Sequence, residues 1–178
     1  MGYYIEMTDS KFEIKKENFK KALENLKSVF VPENMNCCDY VGGKHYPHFS
    51  WVDTDSVLKS KTLCVALREI RYEPEYDDNG DICNVEFTGQ KYGSEDVFFN
   101  ALAPYVESGS YIAFEGEDGD TWKYSFNDSK VEKIKNYELI DKIANFFEKE
   151  ENWMALRNCW IEDGYSVGLR KLLTKALN

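Results

Sequence analysis

Residues 101–126 read ALAPYVESGSYIAFEGEDGDTWKYSF, and the reading of this stretch decides the fold. An apolar run ends at Tyr105 and Val106, and Ser108-Gly109 breaks it. Strict alternation follows, with Ile112 and Phe114 on one face and Tyr111, Ala113 and Glu115 on the other. Glu117-Asp118-Gly119-Asp120 has turn chemistry, since Gly119 tolerates positive φ. Alternation then resumes, with Trp122, Tyr124 and Phe126 sharing a face. A second turn at 127–129 leads to a third strand over 130–134. The pattern predicts an antiparallel meander with one aromatic face turned to a core.

Working outward, residues 94–106 predict a helix capped by Ser94, with Glu95 and Asp96 at its positive end. Its inner face is Val97, Phe98, Ala101, Leu102 and Tyr105. Residues 71–76 and 82–88 predict a hairpin whose Asn79-Gly80 turn suits type I′ geometry, with Pro74 on an edge. Further upstream, 2–7 and 12–14 read as strands separated by a turn at Thr8-Asp9-Ser10. Helices are predicted over 15–30 and 62–70. Residues 33–46 read as the least structured stretch, followed by a short strand HFSWV at 48–52. The fold class expected is α+β: a mostly antiparallel sheet with helices on one face over 1–135, and a helical appendage over 136–178.

Composition narrows the function. The chain has 178 residues, 43% hydrophobic and 15% aromatic, which is ample for a core. It shows neither a signal peptide nor an apolar run of membrane-spanning length. Five cysteines at irregular spacing point to reduced thiols, so the expected compartment is the cytoplasm. The net charge of −10 disfavours direct contact with nucleic acid or an anionic membrane. Between Tyr72 and Asp120 stand thirteen acidic residues and a single basic one, Lys91. The segment is thus either solvated surface or a negative field aimed at a basic partner.

Sites for chemistry are sparse. Cys37, Cys38, His45 and His48 offer four possible metal ligands in one loop, but adjacent cysteines rarely both reach one tetrahedral ion. Asp77, Asn79 and Asp81 alternate like the start of a calcium loop, yet the glycine comes too early and Thr88 replaces the closing glutamate. Neither a nucleophile elbow nor a phosphate-binding loop is present. Either histidine could meet a cysteine in space to form a nucleophile–base pair. No metal and no cofactor is expected. The many tyrosines set among carboxylates suit a protein interface.

The segments MGYYIEMTDSKFEI, HFSWVD, ALREIRYEPEYDDNGDI, EFTGQKYG and ALAPYVESGSYIAFEGEDGDTWKY together resemble a group of small uncharacterised proteins of bacteria, their phages and mobile elements. The resemblance covers 1–134 and brings no catalytic residue with it. It implies a phage or prophage setting, in which small acidic proteins often inhibit host defence systems, anti-CRISPR proteins among them. The expected function is therefore a non-enzymatic acidic protein that occupies the basic nucleic-acid groove of a protein or nucleoprotein complex. Its contact residues would be Asp77, Asp78, Asp81, Glu115, Glu117, Asp118 and Asp120, with Tyr76 and Tyr111. Two alternatives stand beside it. One is a small enzyme or nucleotide-binding protein using the His45/His48 loop. The other is a self-associating housekeeping module joined through Trp153 and Trp160 of the C-terminal tail.

Overall fold

A computed structural model describes residues 2–136. The expected helical appendage, apart from Asn136, lies outside the described residues.

The meander forms as its alternation dictates. Strands β6 (Ser110–Gly116), β7 (Thr121–Asn127) and β8 (Lys130–Lys135) pair antiparallel. Ile112 stands opposite Tyr124 and Phe114 opposite Trp122, the latter pair stacked at 5.8 Å. Asp128 and Ser129 take φ of 50° and 62°, the doubly left-handed geometry that a two-residue hairpin loop needs. Strand β1 (Ile5–Lys11) joins on the β6 side, giving the order β1-β6-β7-β8. Here the expected turn at Thr8-Asp9-Ser10 is corrected. The register shifts between Met7 and Asp9, so a bulge absorbs Thr8 and the strand runs on to Lys11.

The expectation of one sheet is also corrected: the described residues form three antiparallel sheets. β4 (Tyr72–Tyr76) and β5 (Ile82–Phe87) make a separate hairpin. Ile14 couples it to the main sheet by bridging to both Ile82 and Val106. Its loop is not type I′, because only Gly80 is left-handed (φ 82°). Instead the Asp77 carboxylate accepts from the amides of Asn79 and Asp81, which holds a longer loop. The third sheet is a hairpin of β2 (Cys37–Val41) and β3 (Lys44–His48), in the stretch expected to be least structured. Gly42-Gly43 turns it, with φ of 58° and 80°. HFSWV is not a strand: β3 ends at His48, and Trp51 is left-handed and half exposed.

Three helices occupy stretches predicted to be helical, whereas the one over 54–59 is additional and Phe99, outside the inner face expected for 94–106, is buried. α1 (Phe19–Ser28) buries Ala22, Leu23 and Leu26. α2 (Thr54–Lys59) and α3 (Leu63–Glu69) are capped by the side chains of Asp53 and Thr62. α4 (Glu95–Leu102) buries Phe98, Phe99, Ala101 and Leu102. Phe99 is the centre of the core, with ring contacts to Phe12, Tyr72, Tyr124 and Phe126 at 4.8–6.5 Å.

Candidate functional site

The most telling concavity forms where the start of β1 meets the β6–β7 turn and the loop 88–93. Tyr3, Tyr4 and Ile5 are held from both sides by main-chain bonds. The Ile5 amide donates to Gln90, the Tyr92 amide to Tyr3 and the Glu117 amide to Tyr4. A cleft of about 430 Å³ results, lined by Tyr4, Ile5, Glu6, Gln90, Glu115 and Glu117 together with Gly89 and Gly116. It shares Tyr4 and Gln90 with a cleft of about 290 Å³ lined also by Trp51, Arg71 and Lys91. The Lys91 ammonium lies 4.8 Å from the ring centres of both Tyr4 and Trp51. These two exposed rings thus already cradle one cation.

The cleft's electrostatics are one-sided. Glu6 and Glu115 are direct cross-strand partners, so their side chains share a face. Both are exposed, as is Glu117, and among the described residues none of the three carboxylates has a hydrogen-bond or ion-pair partner. Like charges directly opposite on a sheet are destabilising, so the pair costs stability in the protein alone.

Arg71 and Glu95 fix the loop that walls the cleft. Arg71 follows Ile70, the C-cap of α3, in the left-handed region (φ 75°), so the strand expected from 71 begins at Tyr72. Its guanidinium donates to the Lys91 carbonyl and to Glu95, each at 2.6 Å, and lies 5.2 Å from the Phe87 ring centre. Glu95 is fully buried and also accepts from the Gly93 amide at 2.7 Å. Burial raises its carboxyl above the ordinary value, and the neighbouring guanidinium opposes that shift. A Cβ at Gly93 would stand 2.6 Å from the Arg71 guanidinium, so a larger residue would push that group away from Glu95. Ser94 makes no capping bond through its side chain; Glu95 ties down the helix start instead.

The two acidic tips do not converge. Gly116 pairs with Ile5 and the Asp81–Ile82 end lies at Ile14, so the tips sit at opposite ends of β1. Seven strand residues separate them by roughly 20 Å or more. Within each tip the carboxylates divide by role. Asp81 is buried and accepts from the Lys16 amide at 2.8 Å and the Lys15 ammonium at 3.2 Å. Asp77 is engaged in its own loop, and hydrogen bonds hold both carboxyls below the ordinary value. Asp118 accepts from the Tyr3 hydroxyl and the Asp120 amide, which lowers it and raises the Tyr3 phenol to about 12. Asp78, Glu115, Glu117 and Asp120 remain exposed.

The two predicted tyrosines also part company. Tyr111 donates to Asp9 at 2.7 Å. Tyr76 lines a cleft of about 400 Å³ with Phe19, Leu23 and Leu63, rimmed by Lys20 and Lys61. Sequence reasoning missed Tyr4, Glu6, Gln90 and Arg71 as site residues. A glycine-flanked GQKYG loop behind a strand was the available signal for Gln90, whereas Glu6 depends on the strand register.

On the β2–β3 hairpin the register divides these two cysteines and two histidines between two faces. Cys37 pairs with His48 on one face, while Cys38 and His45 lie on the other. A single tetrahedral ion could not take all four. Comparison with known proteins finds no matching family model, curated protein or solved structure.

Proposed function

We propose that this chain is a non-enzymatic acidic binding protein that receives a basic segment of its partner in the Tyr4 cleft. The observation that carries the reading is the exposed cross-strand pair Glu6–Glu115, with Glu117 beside it in a cleft walled by Tyr4. A guanidinium or ammonium entering there would relieve the like-charge contact and lie against an aromatic face. The cradled Lys91 displays that contact chemistry within the chain itself.

The partner proposed is a nucleic-acid-binding protein or nucleoprotein complex whose basic groove would accept these carboxylates in place of phosphates. In the setting implied by the resemblance, this makes the chain an anti-CRISPR-like inhibitor of a host defence complex acting in the cytoplasm. Of the expected contact residues Glu115, Glu117 and Asp120 are kept, and Tyr4 and Glu6 are added. Asp77, Asp81 and Asp118 serve the fold, and Asp78 stands at the far end.

An oligo-arginine peptide is the probe, titrated by calorimetry at low ionic strength. Charge reversal at Glu6, Glu115 and Glu117 is expected to weaken binding at least about tenfold, and salt to weaken it further. Reversal at Asp78, well removed from the cleft, serves as the control. Equal losses from both changes would reduce the binding to diffuse attraction and remove the cleft from the account.

A further inference from the structure

We infer that Cys38 is a modification site: an exposed thiol activated by His45 and able to form a mixed disulfide with a low-molecular-weight disulfide. The two side chains meet diagonally across the β2–β3 hairpin, with Cys38 Sγ 3.1 Å from His45 Nδ1. With the imidazole proton on Nε2, the thiol donates to Nδ1 and the ring serves as base. Tyr40, the cross-strand partner of His45, packs its ring edge-on at 4.4 Å and steadies the imidazole. Both Cys38 and His45 are exposed, so a reagent has access.

The other described cysteines lack this arrangement. Cys37 lies on the opposite face, 2.9 Å from the Ser50 hydroxyl, and Cys37, Cys64 and Cys83 are all partly buried. The competing contact of Cys38, to the Asp39 carbonyl at 3.5 Å, is longer than the one to His45.

In the reaction the thiol proton passes to His45 Nδ1 as Sγ attacks one sulfur of the disulfide. The Sγ–S bond forms and the S–S bond breaks. The departing thiolate takes up a proton from the imidazolium or from water. Cys38 is oxidised to the mixed disulfide, and half of the reagent is reduced to thiol.

A paired thiol gains thiolate but loses intrinsic nucleophilicity, so the expected net gain is about threefold. The test uses the full chain with glutathione disulfide, following each cysteine by peptide mass spectrometry. Cys38 is expected to react first, and His45→Gln to slow it about threefold. His48→Gln alters the opposite face and is expected to leave the rate unchanged. The inference is overturned if Cys38 reacts no faster than Cys37, Cys64 and Cys83, or if His45→Gln has no effect. It is overturned equally if both histidine variants slow Cys38 alike, because hairpin integrity would then set the rate.

Discussion

Replacing Arg71 with methionine should expose how the wall of the cleft is held. Methionine retains much of the apolar stem but removes the guanidinium, leaving the buried Glu95 carboxylate with backbone amides, Gly93 among them, and no facing cation among the described residues. Breaking a buried ion pair from one side costs about 3–5 kcal/mol. The carboxylate has one escape, which is to stay protonated. Burial already raises its pKa, and loss of Arg71 removes the charge that opposes the rise.

Since the folded value lies above the unfolded one, this group's contribution is fully present below the ordinary glutamate value. It is lost as pH rises through the folded value. Keeping the proton costs at most about 1.4 kcal/mol per pH unit above an ordinary value of about 4.3. The intact protein already bears part of this cost, because its own Glu95 carboxyl is raised, so the penalty should be at most about 4 kcal/mol at pH 7.5 and at most about 1 kcal/mol at pH 5, with a roughly constant loss from the Phe87 contact added. Urea unfolding of both proteins at the two pH values measures it. A penalty below about 1 kcal/mol at pH 7.5, or one equal at both pH values, would refute the reasoning.

Three further outcomes are expected. Phe99→Ala should destabilise by about 3–5 kcal/mol, because it empties the site where four rings converge, and chemical denaturation reads the loss directly. Asp53, Asp77, Asp81 and Asp118 all have lowered carboxyls, so the stability they contribute is present above the ordinary aspartate value and is lost as pH falls through their folded values. Asp81→Asn should accordingly flatten the acid limb of a thermal-stability profile. Gly43→Ala places a Cβ at φ +80° in open space, so it should cost the β2–β3 hairpin about 1–2 kcal/mol through backbone strain alone. Faster amide hydrogen exchange confined to residues 37–48 would register it.

Much of the architecture was legible because it rests on local pattern. The meander follows from a period-two aromatic face, and α1 and α4 from apolar residues at helical spacing. What could not be read depends on partners far along the chain. Thr8-Asp9-Ser10 looks like a turn until β6 supplies a strand against which the bulge can form. The β2–β3 hairpin lacks an apolar face, so periodicity gave no sign of it, although Gly42-Gly43 carries a turn signal. The acidic tips were visible as composition. Their separation, and the engagement of Asp77, Asp81 and Asp118, follow from strand pairing and hydrogen bonds. Glu6 became a site residue through its register with Glu115.

The central claim is that the Tyr4 cleft selects a basic partner. It is tested most directly by parallel capture from a bacterial lysate, using the native chain and its Glu6→Lys/Glu115→Lys/Glu117→Lys variant. Bound proteins are identified by mass spectrometry at low and high salt. The account predicts a nucleic-acid-binding protein or nucleoprotein complex on the native chain, released by salt and missing from the variant. The same proteins retained by both chains, or release that ignores salt, would contradict it.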